Sequence, residues 1–101
     1  PVVRKGTGGE DGYSGFSVRD PESGLVTATA LADQLERWGV HTVVICGLAT
    51  DSCVKETALD GVKGGLRVLL LEEAMLRVDL EPGDGVSALA AMVEAGCELA
   101  L

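Results

Sequence analysis

The sequence is poor in aromatic and in basic residues. Only Tyr13, Phe16 and Trp38 are aromatic among 101 residues, and Lys and Arg number 8 against 16 Asp and Glu. Few side chains are therefore present that could stack on nucleic-acid bases, and a net charge of −8 repels phosphate backbones and anionic headgroups. Neither a nucleic-acid nor a membrane partner is expected. Unbroken apolar runs such as Val68 to Leu71 fall far short of the roughly 18 to 20 residues that span a bilayer, and no basic, apolar, small-residue leader opens the chain. Histidine occurs once, and His41 has no acidic or imidazole neighbours at metal-ligand spacing. Its expected role is structural or solvent-exposed, and no catalytic metal is expected on this chain's own residues. The cysteines (Cys46, Cys53 and Cys97) are odd in number and lack metal-type spacing. They point to reduced thiols in a cytoplasmic setting rather than to a disulfide framework.

What is present is aliphatic. Apolar residues make up 47% of the chain and mean hydropathy is +0.28, enough for a buried interior built from Val, Leu, Ala and Ile. Length permits a single small domain. The chain opens on Pro1 rather than Met, in a strand-like run from Pro1 to Arg4, so it is expected to be part of something longer.

A glycine-rich stretch follows, and residues 5–19 are expected to form a long loop that walls a site or acts as a flap. From Leu25 to Trp38, apolar residues at Leu25, Ala28, Leu31, Ala32, Leu35 and Trp38 keep helical spacing, and Gly39 supplies a stop. Val40 to Cys46 is β-branched and almost continuously apolar, as a strand covered on both faces would be. Asp51 to Val62 again predicts a helix, Leu66 to Leu71 a strand, Val86 to Val93 a helix stopped by Gly96, and Cys97 to Leu101 a last strand. Strands alternating with helices over short connections predict an α/β fold with a parallel sheet between helix layers. Sites in such sheets form at the carboxyl ends of strands, where helix N-termini present free N–H groups. That draws attention to Gly47 through Cys53.

Cys53 falls in the first turn of a helix that starts directly after a strand. Unpaired N–H groups and the positive end of the helix dipole stabilise a thiolate there, and the same donors can hold the oxyanion formed when that thiolate attacks a carbonyl. Most cysteines are inert packing residues, and Cys46 and Cys97, placed in strands, fit that description. Asp51 reads first as a helix N-cap.

The segment Val44-Ile45-Cys46-Gly47-Leu48-Ala49-Thr50-Asp51-Ser52-Cys53-Val54-Lys55-Glu56-Thr57-Ala58-Leu59-Asp60 resembles the nucleophile motif of nicotinamidases and the wider isochorismatase-like cysteine hydrolases. Val3-Arg4-Lys5-Gly6, Tyr13-Ser14-Gly15-Phe16, Trp38-Gly39-Val40 and Ala95-Gly96-Cys97-Glu98-Leu99 resemble the same family, in its order, over nearly the whole chain. The resemblance implies a three-layer α/β/α fold, incomplete here. It implies a carboxamide substrate, hydrolysed through a thioester on Cys53, with Lys5 as the catalytic lysine. The Leu48–Ala49 bond would correspond to a cis peptide, the N–H groups of Ala49 and Cys53 to the oxyanion hole, and Tyr13 to an aromatic lining the substrate pocket. Ser52 occupies a position that varies in the family and is a candidate substrate contact.

The family's catalytic aspartate, and the aspartate and histidines that bind its divalent metal (zinc, iron or manganese), correspond to no residue of this chain. Little activity is therefore expected from the chain alone, and exposed strand edges favour self-association, including homo-oligomers. Other readings are an amidase for a carbamoyl compound, a non-catalytic remnant, and a redox role for Cys53, the last weakened by the lack of a nearby resolving cysteine.

Overall fold

The computed structural model describes residues 2–100. Its centre is a parallel sheet in the order β3 (Thr42–Leu48), β4 (Arg67–Leu76) and β5 (Glu98–Ala100). Helices α2 (Lys55–Lys63) and α3 (Asp84–Ala95) connect these strands and pack together on one face of the sheet. The expected α/β order with a parallel sheet is what the chain adopts.

Alternation along the strands decides what the core contains. Val43 pairs with Val68 and Ile45 with Leu70, so these residues point towards the helices. There Val68 and Leu70 meet Val54, Ala58, Ala88 and Met92, all buried. Leu70, Met92 and Val68 have the largest fully buried side chains; burying a side chain of this size contributes roughly 1.5 to 3 kcal/mol. The opposite face is bare. Val44 is 58% exposed, Leu48 69% and Leu76 70%, so the expectation that β3 is covered on both sides does not hold within this chain. Cys46 shares that face and is exposed rather than packed in a core.

The first third differs most from the sequence reading. Val2 to Arg4 form no strand, and Pro1 lies outside the described residues. An extended segment needs a neighbouring strand for its N–H and C=O groups, and none of the described strands pairs with it. The expected 5–19 loop ends early, because Ser17–Arg19 form strand β1, paired antiparallel with β2 (Val26–Ala28). The expected Leu25–Trp38 helix is therefore reduced to α1, Leu31–Arg37. β-Branched Val26 and Thr27 favour the hairpin, and Thr29 divides the two elements. Its Oγ1 donates to the carbonyl of Gly15 at 2.6 Å and accepts the N–H of Leu31 at 3.3 Å. Among the described residues no helix is long and apolar enough to cross a membrane.

Candidate active site

The carboxyl end of β3 is irregular. Ile45 pairs with Leu70 but Gly47 pairs with Met75, so β4 advances five residues while β3 advances two. Gly47 turns there with φ +109°, a conformation that is strained for a residue bearing a Cβ. The Leu48–Ala49 peptide that follows is cis.

Next comes a π-helical turn, Thr50–Val54, which leads into α2. Cys53 is thus carried by a π turn rather than by the first turn of an α-helix. Wide turns of this kind are frequent at functional sites. The carbonyl of Ala49 accepts the N–H groups of Ser52 at 3.1 Å and Val54 at 3.0 Å. Thr50 and Val54 are buried at the two ends of the turn, while Ser52 and Cys53 are half-buried. Cys53 is therefore neither sealed in hydrocarbon nor fully exposed. Burial pushes the thiol of Cys97 up, in keeping with an inert packing role for that residue.

Asp51 is not the N-cap that the sequence suggested. The turn begins at Ala49 without a side-chain cap, and the Asp51 carboxylate reaches across to the loop after β4. One oxygen accepts the N–H of Val78 at 2.9 Å and the other the N–H of Asp79 at 2.7 Å. These two donors, that of Val78 first, hold the Asp51 carboxyl below the usual carboxylate range. Nothing in the linear sequence pairs Asp51 with that loop; an acid two residues before Cys53 was the available signal.

Lys5 donates through Nζ to the carbonyls of Gly12 and, at 2.8 Å, Tyr13. Two of the three ammonium donors thus hold the glycine-rich loop. With Val3, Gly15, Leu31, Gln34 and Trp38, Lys5 lines a cavity of about 350 Å³. No hydrogen bond joins Lys5 to Cys53 among the described residues. Tyr13 is 55% exposed. The loop and the strand after it are nonetheless fastened to the helix that follows Cys53, through a bond of 2.9 Å from Gly15 N–H to Thr57 Oγ1 and one of the same length from Ser17 Oγ in β1 to Asp60.

Among the described residues no three His, Cys, Asp or Glu side chains converge as metal donors, and His41 is exposed just before β3. The donor set among the described residues does not fit the divalent metal that the resemblance implies.

Residues 11–100 match the isochorismatase domain. The chain is 39% identical over 80 residues to a nicotinamidase from Acinetobacter baylyi, covering 78% of this chain and 36% of that protein. It superposes on PnC1 from L. infantum in complex with nicotinate with a TM-score of 0.82 at 36% identity, over 98% of this chain and 47% of the other. For the pyrazinamidase of Pyrococcus horikoshii in complex with zinc the TM-score is 0.74 at 38% identity, over 90% and 44%. The chain thus spans less than half the length of each of these proteins.

Proposed function

Because this chain belongs to the isochorismatase family, we propose that it carries the nucleophile of a nicotinamidase-type amidohydrolase, which converts nicotinamide to nicotinate and ammonia through a thioester on Cys53. The observation that carries this reading is the placement of Cys53, half-buried in a π turn at the carboxyl end of a parallel strand, in a chain that resembles a nicotinamidase over 78% of its length. Sulfur adds to the carboxamide carbon, and the N–H groups of Ala49 and Cys53 receive the charge that collects on oxygen. A proton reaches nitrogen, the C–N bond breaks and ammonia leaves. Water then adds to the thioester, the C–S bond breaks, and nicotinate is released with the thiolate restored. In this reading Lys5 supplies the cation for catalysis, and Tyr13 and Ser52 contact the ring or carboxamide.

The amide-cleaving step needs an acid for the leaving nitrogen. No residue here corresponds to the family's aspartate, so the chain alone releases ammonia from nicotinamide at only a trace rate. Acylation by an aryl ester of nicotinic acid avoids that requirement, because phenolate leaves without a proton. Mass mapping after such treatment is expected to find one nicotinoyl group, on Cys53. Acylation of Cys46 in preference, or of no cysteine, would refute the reading.

A further inference from the structure

The turn that carries Cys53 is connected to the start of α3 through polar contacts. Asp51 occupies both carboxylate oxygens with Val78 and Asp79 N–H groups, 27 and 28 residues further along the chain. Asp79 has φ +52°, and its Oδ1 accepts the N–H of Gly85 at 2.6 Å in the first turn of α3. Its Oδ2 receives Arg77 Nε at 2.9 Å. A Cβ at Gly85 would stand 2.3 Å from Cδ of Arg77, so that glycine is what lets the arginine lie against the helix. The π turn also packs directly on α3. The two ends of this chain of contacts are thus a candidate nucleophile and a rigid helix.

We propose that Asp51 is a positioning residue for the reaction, fixing the orientation of the Cys53 turn by clamping the Val78–Asp79 backbone. This rests on the reading of Cys53 as the nucleophile. The physical reason is geometric. A π turn is held by few and wide hydrogen bonds, and the direction in which Cys53 and its N–H group point follows the pitch of that turn. Two charge-assisted bonds from the adjacent residue but one anchor the pitch to α3 rather than leaving it to the turn itself. Misplacing a reacting group by about 1 Å can cost on the order of a hundredfold in rate.

The test compares the wild-type chain with Asp51→Ala and Asp51→Asn. Asn is nearly isosteric, but it sets an NH₂ group against one of the two backbone donors. Two quantities are read: the rate at which an aryl nicotinate acylates Cys53, and amide hydrogen exchange at Val78 and Asp79, with Val68 to Leu70 as the control for the fold. Both variants are expected to acylate about tenfold more slowly or worse and to exchange faster at Val78 and Asp79, while protection at Val68 to Leu70 is kept. Should Asp51→Ala not fold, Asp51→Asn decides alone. Unchanged acylation in variants whose loop exchange has risen overturns the proposal, since Asp51 would then only staple the loop. Slower acylation with protection lost equally throughout β4 overturns it too, as a general structural effect. If the wild-type chain is not acylated at Cys53, the nucleophile reading falls and this proposal with it; if the wild type is acylated and the variants match it, only the positioning role falls.

Discussion

The amide of Gly15 donates to Oγ1 of Thr57 at 2.9 Å across 42 residues of sequence. One end of that bond is in the glycine-rich loop that holds Lys5, and the other is one turn past Cys53 on α2. Thr57→Val removes the acceptor and keeps the shape. It leaves the Gly15 N–H partly buried without its partner, at a cost of about 1 to 2 kcal/mol. The urea midpoint should drop accordingly, and proteolytic cutting within residues 5–16 should quicken more than cutting in the sheet.

Met92 is fully buried between α3 and β4. Met92→Ala should cost about 2 to 5 kcal/mol, while Met92→Leu, which conserves volume, should cost less than about 1.5 kcal/mol. Denaturant titration of the two variants checks the order. Equal losses would show that the helix layer is not tightly packed over the sheet.

Acid should weaken the fold through Asp51. Its folded-state carboxyl is held low by the N–H groups of Val78 and Asp79, whereas the unfolded chain titrates near the ordinary value of about 3.9. The stabilisation is therefore complete above that value and is lost as pH falls through the lower folded value. Glu98, held low by Arg67, contributes with the same sign. Midpoints measured between about pH 6 and 2 should fall on acidification, and Asp51→Asn should remove part of the fall.

The bare sheet face should govern association. Val44 and Leu48 lie on it and are well exposed, and exposed apolar surface beside an unpaired strand edge favours self-assembly. Val44→Lys should lower the sedimentation-average mass at high concentration without lowering the urea midpoint.

The strands and helices after residue 40 were readable because their period is unambiguous. The β-branched run Val43 to Ile45 and the apolar spacing of Val54, Ala58 and Leu59 admit one reading each. Residues 25–30 were misread because Leu25 and Ala28 keep a helical interval by coincidence, while hydrogen bonding at Thr29 and pairing of Val26 with Arg19 select a hairpin. The bare face of β3 was hidden for a different reason. A continuous apolar run reports that both faces suit burial, not that this chain supplies both covers. At the site, the positions of Cys53 and the Leu48–Ala49 bond were legible from a linear motif. The contacts of Asp51 were not, because its partners lie far along the chain and a local cap was the simpler use for an acid before a helix.

The account depends on Cys53 being made reactive by its turn rather than by exposure, and competitive alkylation tests this most directly. The folded chain is treated with substoichiometric iodoacetamide at neutral pH, and the labelled cysteines are mapped by mass. Cys46 is exposed, Cys53 half-buried and Cys97 buried, so exposure alone places Cys46 first. The account predicts that Cys53 is labelled ahead of Cys46, with Cys97 last, and that unfolding in urea erases the preference. Labelling of Cys46 ahead of Cys53 in the folded chain would contradict it.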